Sequence, residues 1–192
     1  MLFKNKYWVI LILFNLITQI TNSIAATSGT YYCKWIFGND NLVALAGALG
    51  FFATLVGFVV SKPIISKLGV RKTIDFGVLG AAFTALIRCI IPTNFKVYIA
   101  VSVIGSFVQI PLMCLYGVLL AMVIDYNEYT YYNKMVGVSS GAIGIGTKIG
   151  SGVGSVILTA CLALGAYNPD LEVATTSMRY AIYAFSNYLP LI

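Results

Sequence analysis

The ionisable residue that stands out is Lys148, within Gly144-Ile145-Gly146-Thr147-Lys148-Ile149-Gly150. It lies twelve residues past Val136, about 18 Å along a helix. Its apolar run continues about as far beyond it, so snorkelling to an interface is hard. A charged side chain at such a depth costs about 2.5–3.5 kcal/mol to insert and usually faces a bundle interior or a wet cavity. There an ammonium can donate hydrogen bonds to hydroxyls or pair with a carboxylate. The flanking glycines imitate nucleotide motifs without completing one. Thr147 separates the second glycine from the lysine of a Walker-type loop, and the Gly144-Ile145-Gly146 start of a dinucleotide fingerprint ends in Ile149. Gly146, Gly150 and Gly154 recur every four residues instead. That spacing gives a helix face where another helix packs closely.

A second group is Asp125, Glu128 and Lys134. Paired carboxylates can do acid–base work, but no His and no metal-ligand set accompanies them. An ionic latch to Lys134, or to basic groups of another segment, is the better physical reading. Tyr31, Tyr32, Lys34 and Trp35 close the first apolar run. They read as an interfacial aromatic belt or as rings that stack on a sugar face. Asn15, Gln19 and Asn22, spaced by four and three, share a helix face that is either wet or polar glue between helices. Arg88, three residues before Ile91, reads as reaching the outer interface. The cysteines Cys33, Cys89, Cys114 and Cys161 show no CxxC spacing and read as small apolar residues in helices.

The elements that carry these residues are membrane helices. Of 192 residues 59% are hydrophobic and 9% charged, against about 25% charged in soluble domains, and the mean hydropathy is +0.90. The fold class is an all-α polytopic bundle of about six transmembrane helices. The expected spans are 7–37, 42–65, 74–91, 96–124, 136–166 and 178–192, the last one short of the about 20 residues a crossing needs. Lys4 and Lys6 before an apolar run resemble a signal peptide, but apolar character resumes after Ala25 and favours one long first helix. Six helices place Lys4, Lys6, Lys62, Lys67, Arg71, Lys72 and Lys134 on one side. The positive-inside rule then puts the N-terminus in the cytoplasm. The net charge of +6 is explained by this orientation, and no nucleic-acid partner is expected.

The run Asp125-Tyr126-Asn127-Glu128-Tyr129, followed by Lys134, Gly137 and Lys148, resembles the glycoside–pentoside–hexuronide:cation symporters. Tyr31-Tyr32-Cys33-Lys34-Trp35-Ile36-Phe37-Gly38 is similar to the end of that family's seventh helix, and Gly165 to Pro169 to the exit of its eleventh. The resemblance implies a major-facilitator fold, here as the C-terminal six-helix half with its last helix cut short. It implies sugar:cation symport by alternating access, in a plasma or inner membrane. It assigns Lys148 to sugar and cation coupling, and Asp125, Glu128 and Lys134 to a cytoplasmic gate. Asn22 and Tyr31 are candidates for substrate contact. The family's sugar-stacking aromatic is absent at Met113; nearby Tyr116, not a residue-level match, is carried as a candidate. Asn127 and Val136 replace a usual glycine and a common acidic residue. The coupling cation, sodium or proton, has its carboxylate ligands in the other half, so no cofactor site is expected here. The expected partners are the lipid bilayer, the sugar and the missing N-terminal half. Without that half the chain is not expected to transport. A non-transporting membrane scaffold or degenerate transporter fragment is the competing expectation. Without a nucleophile–base pair or a metal set, an enzyme is not expected.

Overall fold

The computed structural model describes residues 5–132, 134–168, 171 and 173–189. Lys4, Pro169, Asp170, Glu172 and positions 190–192 of the expected sixth helix lie outside the described residues. The described chain is all-α, as its apolar runs predict.

Asn5 caps α1 (Lys6–Trp35), its Oδ1 accepting from the backbone N–H of Tyr7 at 3.1 Å and of Trp8 at 3.3 Å. Two of the four donors left open at a helix start are thereby satisfied. The next element, α2, runs over Asn41–Ile90, with Gly69 at φ 77 and ψ 171 inside it. Only glycine occupies that region without strain. A straight helix would hold Gly57 and Gly77 about 30 Å apart. Yet a Cβ on Gly57 would touch Ile110, and one on Gly77 would touch Leu112, each at 3.0 Å. The chain therefore folds back at Gly69, and two arms, 41–68 and 70–90, lie side by side on the same partner. The helices expected at 42–65 and 74–91 meet at one residue rather than across a loop. The basic residues between them are good helix formers exposed to water, so the helix continues up to the reversal.

After Pro92, Asn94 caps α3 (Phe95–Tyr131) by accepting from Lys96 and Val97 N–H groups. This helix outruns its expected end at 124 by seven residues. No Gly or Pro stands between Gly117 and Gly137 to stop it, and a helix satisfies its own backbone as it leaves the membrane. Asp125 and Glu128 therefore sit on helix, where a polar loop was expected. Two further helices follow: α4 (Val136–Leu164) and α5 (Thr176–Tyr183), the latter capped by Thr175 and prolonged by a π-helical turn, Ala184–Tyr188.

The two dominant pairings are α2 on α3 and α1 on α4; α5 and its π-helical turn close one end against α1, α2 and α4. Beneath that closure Tyr32, Trp35, Tyr98, Leu162, Met178 and Phe185 form the core. Tyr32 is 1% exposed and Trp35 7%, so they are packed inside rather than spread as an interfacial belt. The α5 segment covers them, and Tyr32 Oη donates to the Pro92 carbonyl at 2.6 Å and accepts from Asn187 at 3.2 Å. Phe51, Phe52, Val59, Leu79 and Phe83 point outward from α2 and are exposed, which suits a lipid solvent. Four described helices are long and apolar enough to cross a membrane. The 50 residues of α2 reach about 75 Å, against a hydrocarbon core of about 30 Å; folded at Gly69 they supply two crossings.

Candidate functional site

A cavity of about 370 Å³ opens between α1, both arms of α2, α3 and the π-helical turn, lined among others by Asn22, Ala46, Arg88, Ser102, Gln109 and Ser186. That volume lies in the range of small-molecule sites, about 300–1,000 Å³. Near the middle of α1, Asn22 Oδ1 accepts from Gln109 Nε2 at 3.0 Å. The Asn22 amide hydrogens and the Gln109 carbonyl remain available, a donor and an acceptor side by side. Toward the end closed by α5, Arg88 turns inward, correcting its expected reach to the interface. Its Nη2 donates to Ser102 Oγ at 2.7 Å, and its guanidinium carbon lies 5.0 Å from the Tyr98 ring centroid. Close packing of the second α2 arm on α3 forces this direction. Gly77 and Gly80 abut Leu112 and Val108 on α3, and Thr84 and Arg88 continue the same helical stripe at i, i+4.

The substrate candidates read from sequence separate in space. Asn22 lines the cavity. Tyr31 packs edge-on against Tyr167 and Phe185, within the aromatic layer under α5. Tyr116 stacks on Phe14 and donates to the Leu11 carbonyl at 3.1 Å, holding α3 to α1. Lys148 is exposed on α4, two residues from both Gly146 and Gly150 and so about 200° around the helix from the α1 contact. The expected polar face of α1 also divides. Asn15 accepts from Thr147 Oγ1 at 3.3 Å and Gln19 abuts Gly150, so both serve the α4 seam, whereas Asn22 faces the cavity. Gly146, Gly150 and Gly154 are buried along that seam.

Lys134 follows α3, and its ammonium meets Glu128 Oε2 at 2.8 Å and Asp125 Oδ1 at 3.9 Å, all three side chains being substantially exposed. The hydrogen bond and charge of Glu128, helped by Asp125, hold the Lys134 amine above the usual lysine range. On the lysine's side, the stabilisation is present below the ordinary lysine value and is lost as pH rises through the raised one. The latch should therefore ignore the lysine titration between about pH 6 and 9. In a side-chain nitrogen NMR titration, Glu128→Gln should bring Lys134 back down toward its ordinary value. An unmoved Lys134 resonance in that variant would show the contact to be absent in solution.

Gln109 and Ser102 were not singled out by sequence reasoning, and Arg88 was carried only as a weak candidate, read as reaching the outer interface. The readable signal was spacing: Gly77-Gly80-Thr84-Arg88 on one helix and Ser102-Gly105-Ser106-Gln109 on another are stripes of small and polar residues at three and four. Two such stripes in long apolar runs face each other across a wet seam.

These features define a polytopic helical membrane protein with a polar cavity inside its spans. The chain belongs to the family described as MFS/sugar transport protein, which it matches over residues 1–192. It is 25% identical over 154 residues to the uncharacterized symporter YnaJ of Bacillus subtilis (strain 168), an overlap covering 80% of this chain and 33% of that protein. The chain thus spans about a third of the length of the curated relative it matches. No solved structure matches it. The family is one of transporters rather than enzymes.

Proposed function

We propose that this chain is the C-terminal six-helix half of a sugar:cation symporter that works by alternating access. The observation that carries the reading is the polar cavity at membrane depth, where Asn22 and Gln109 offer hydroxyl-matching groups. Family membership makes sugar the reading for the cargo, and the symporter relative supports cation coupling. A second six-helix half would face this one across the exposed side of α4, contribute the cation's carboxylates and enclose the site. Lys148 would couple sugar to sodium or proton, and the Asp125–Glu128–Lys134 cluster would hold the cytoplasmic side shut in one of the two states. The N-terminus would lie in the cytoplasm and the protein in the cell membrane. The test is accumulation of labelled sugars in vesicles carrying the protein expressed from its complete gene, with sodium or proton gradients imposed separately. Accumulation driven by one of the gradients supports the reading; sugar equilibration indifferent to both overturns the symport assignment.

A further inference from the structure

The sugar-transport reading leaves one group in the cavity without a purpose. Neutral hydroxyls are served by amides and hydroxyls, which Asn22, Gln109 and Ser106 already supply. Arg88 is the one charged residue that lines the cavity. Among the described residues no carboxylate pairs with it; both ion pairs belong to Lys134. Even near the end of its span, this guanidinium turns into the cavity rather than out to the interface and meets no counter-charge there, and ionisable residues that face such a cavity mark ligand paths.

Its placement is built rather than adventitious. The Ser102 hydroxyl donates to the Tyr98 carbonyl at 2.6 Å, which turns its lone pairs toward Arg88 Nη2. Tyr98 supports the guanidinium face. Held on two sides in this way, Arg88 keeps Nε buried with no hydrogen-bond partner. A guanidinium presents its donors as a planar fork matched to a carboxylate. Ser102, which accepts from Arg88, and Gln109 are seven residues apart on α3, about 10 Å by helical rise. A single pyranose ring, with side-chain reach at each end, bridges that gap.

We propose that Arg88 makes this cavity selective for an acidic sugar, its guanidinium taking the sugar carboxylate while Asn22 and Gln109 take ring hydroxyls. The inference rests on the sugar-transport reading and narrows it to one substrate class. It assigns Arg88 as a specificity-determining residue.

The test measures binding and uptake of matched pairs, the methyl glycosides of glucose and galactose and the corresponding uronides, by the protein expressed from its complete gene. The wild type should prefer a uronide over its neutral partner by at least about tenfold. Arg88→Gln should erase that preference by weakening the uronide alone, and Arg88→Lys, which keeps the charge but not the fork, should restore part of it. Equal loss of neutral and acidic ligand in Arg88→Gln would reduce the residue to a structural role. Should that variant fail to accumulate in the membrane, Ser102→Ala, which frees the guanidinium without removing it, should lower the uronide preference; an unchanged preference in it overturns the proposal. Binding of neutral glycosides with no preference for uronides in the wild type overturns this inference alone. Binding of neither class overturns the sugar reading and this inference with it.

Discussion

Replacing Lys148 by alanine is expected to abolish cation-coupled sugar accumulation while leaving the protein inserted in the membrane. Lys148 sits in the middle of α4 on the face turned away from α1, and no described residue forms an ion pair with it. In lipid that position would cost about 2.5–3.5 kcal/mol. A sequence bearing that cost must face water, a ligand or a counter-charge, and among the described residues no counter-charge meets α4 on that side. The face belongs, on the proposed architecture, to the cleft between two halves. Losing the ammonium removes the insertion cost, so protein abundance should hold or rise. Coupling needs the charge, so accumulation against a gradient should fall to the background of empty vesicles. Lys148→Arg keeps the charge with different geometry and should retain partial uptake. Normal accumulation by the alanine variant, at equal protein in the membrane, would sink the coupling role. A lysine that faced lipid by snorkelling would give that result.

Much of this architecture was readable because membrane helices announce themselves by composition. The starts of α1, α3 and α4 fall within a residue of the expected ones. What hydropathy could not supply was direction. The chain-reversing role of Gly69 depends on backbone angles that only the packed arms reveal, since the surrounding Ser66, Lys67, Arg71 and Lys72 read as an ordinary polar loop. The end of α3 was misplaced because polar residues were equated with loop, although Asp125 to Tyr131 contains no helix breaker. The site was only half legible. Asn22 was visible as a polar residue in an apolar run, and the Glu128–Lys134 pair by opposite charge across a chain turn. Arg88 was not, because a residue three positions from a helix end has two places to go. The choice was made by Gly77 and Gly80 bringing α2 against α3. Tyr32 and Trp35 were misread for the same kind of reason: α5, distant in sequence, covers them.

The second large effect is expected at the α1–α4 seam. A Cβ on Gly150 would lie 2.8 Å from the Leu16 carbonyl oxygen and 2.8 Å from Gln19 Cβ; one on Gly154 would lie 2.8 Å from the Ile20 carbonyl oxygen. A side-chain tip could rotate aside, but a backbone oxygen inside a helix cannot, so α4 must move off α1. That movement stretches the Ser23 Oγ to Ser151 carbonyl bond at 3.0 Å and the Thr147–Asn15 bond. Gly150→Ala should therefore destabilise by about 1–3 kcal/mol, overriding the helix-propensity gain of about 1 kcal/mol that alanine brings. Gly144→Ala and Gly152→Ala place a methyl where no described residue lies within 4 Å, so within this chain they keep that gain and should be neutral or stabilising. Thermal unfolding in detergent can be followed through Trp8 and Trp35, which both sit buried on α1 and so report on its packing. Equal unfolding temperatures for Gly150→Ala and Gly152→Ala would show that the helices do not meet at these glycines. The seam also joins the proposed functions, since α1 carries Asn22 and α4 carries Lys148. A variant that loosens it should lose uptake out of proportion to its loss of folded protein, because the sugar contact and the coupling charge would no longer move together.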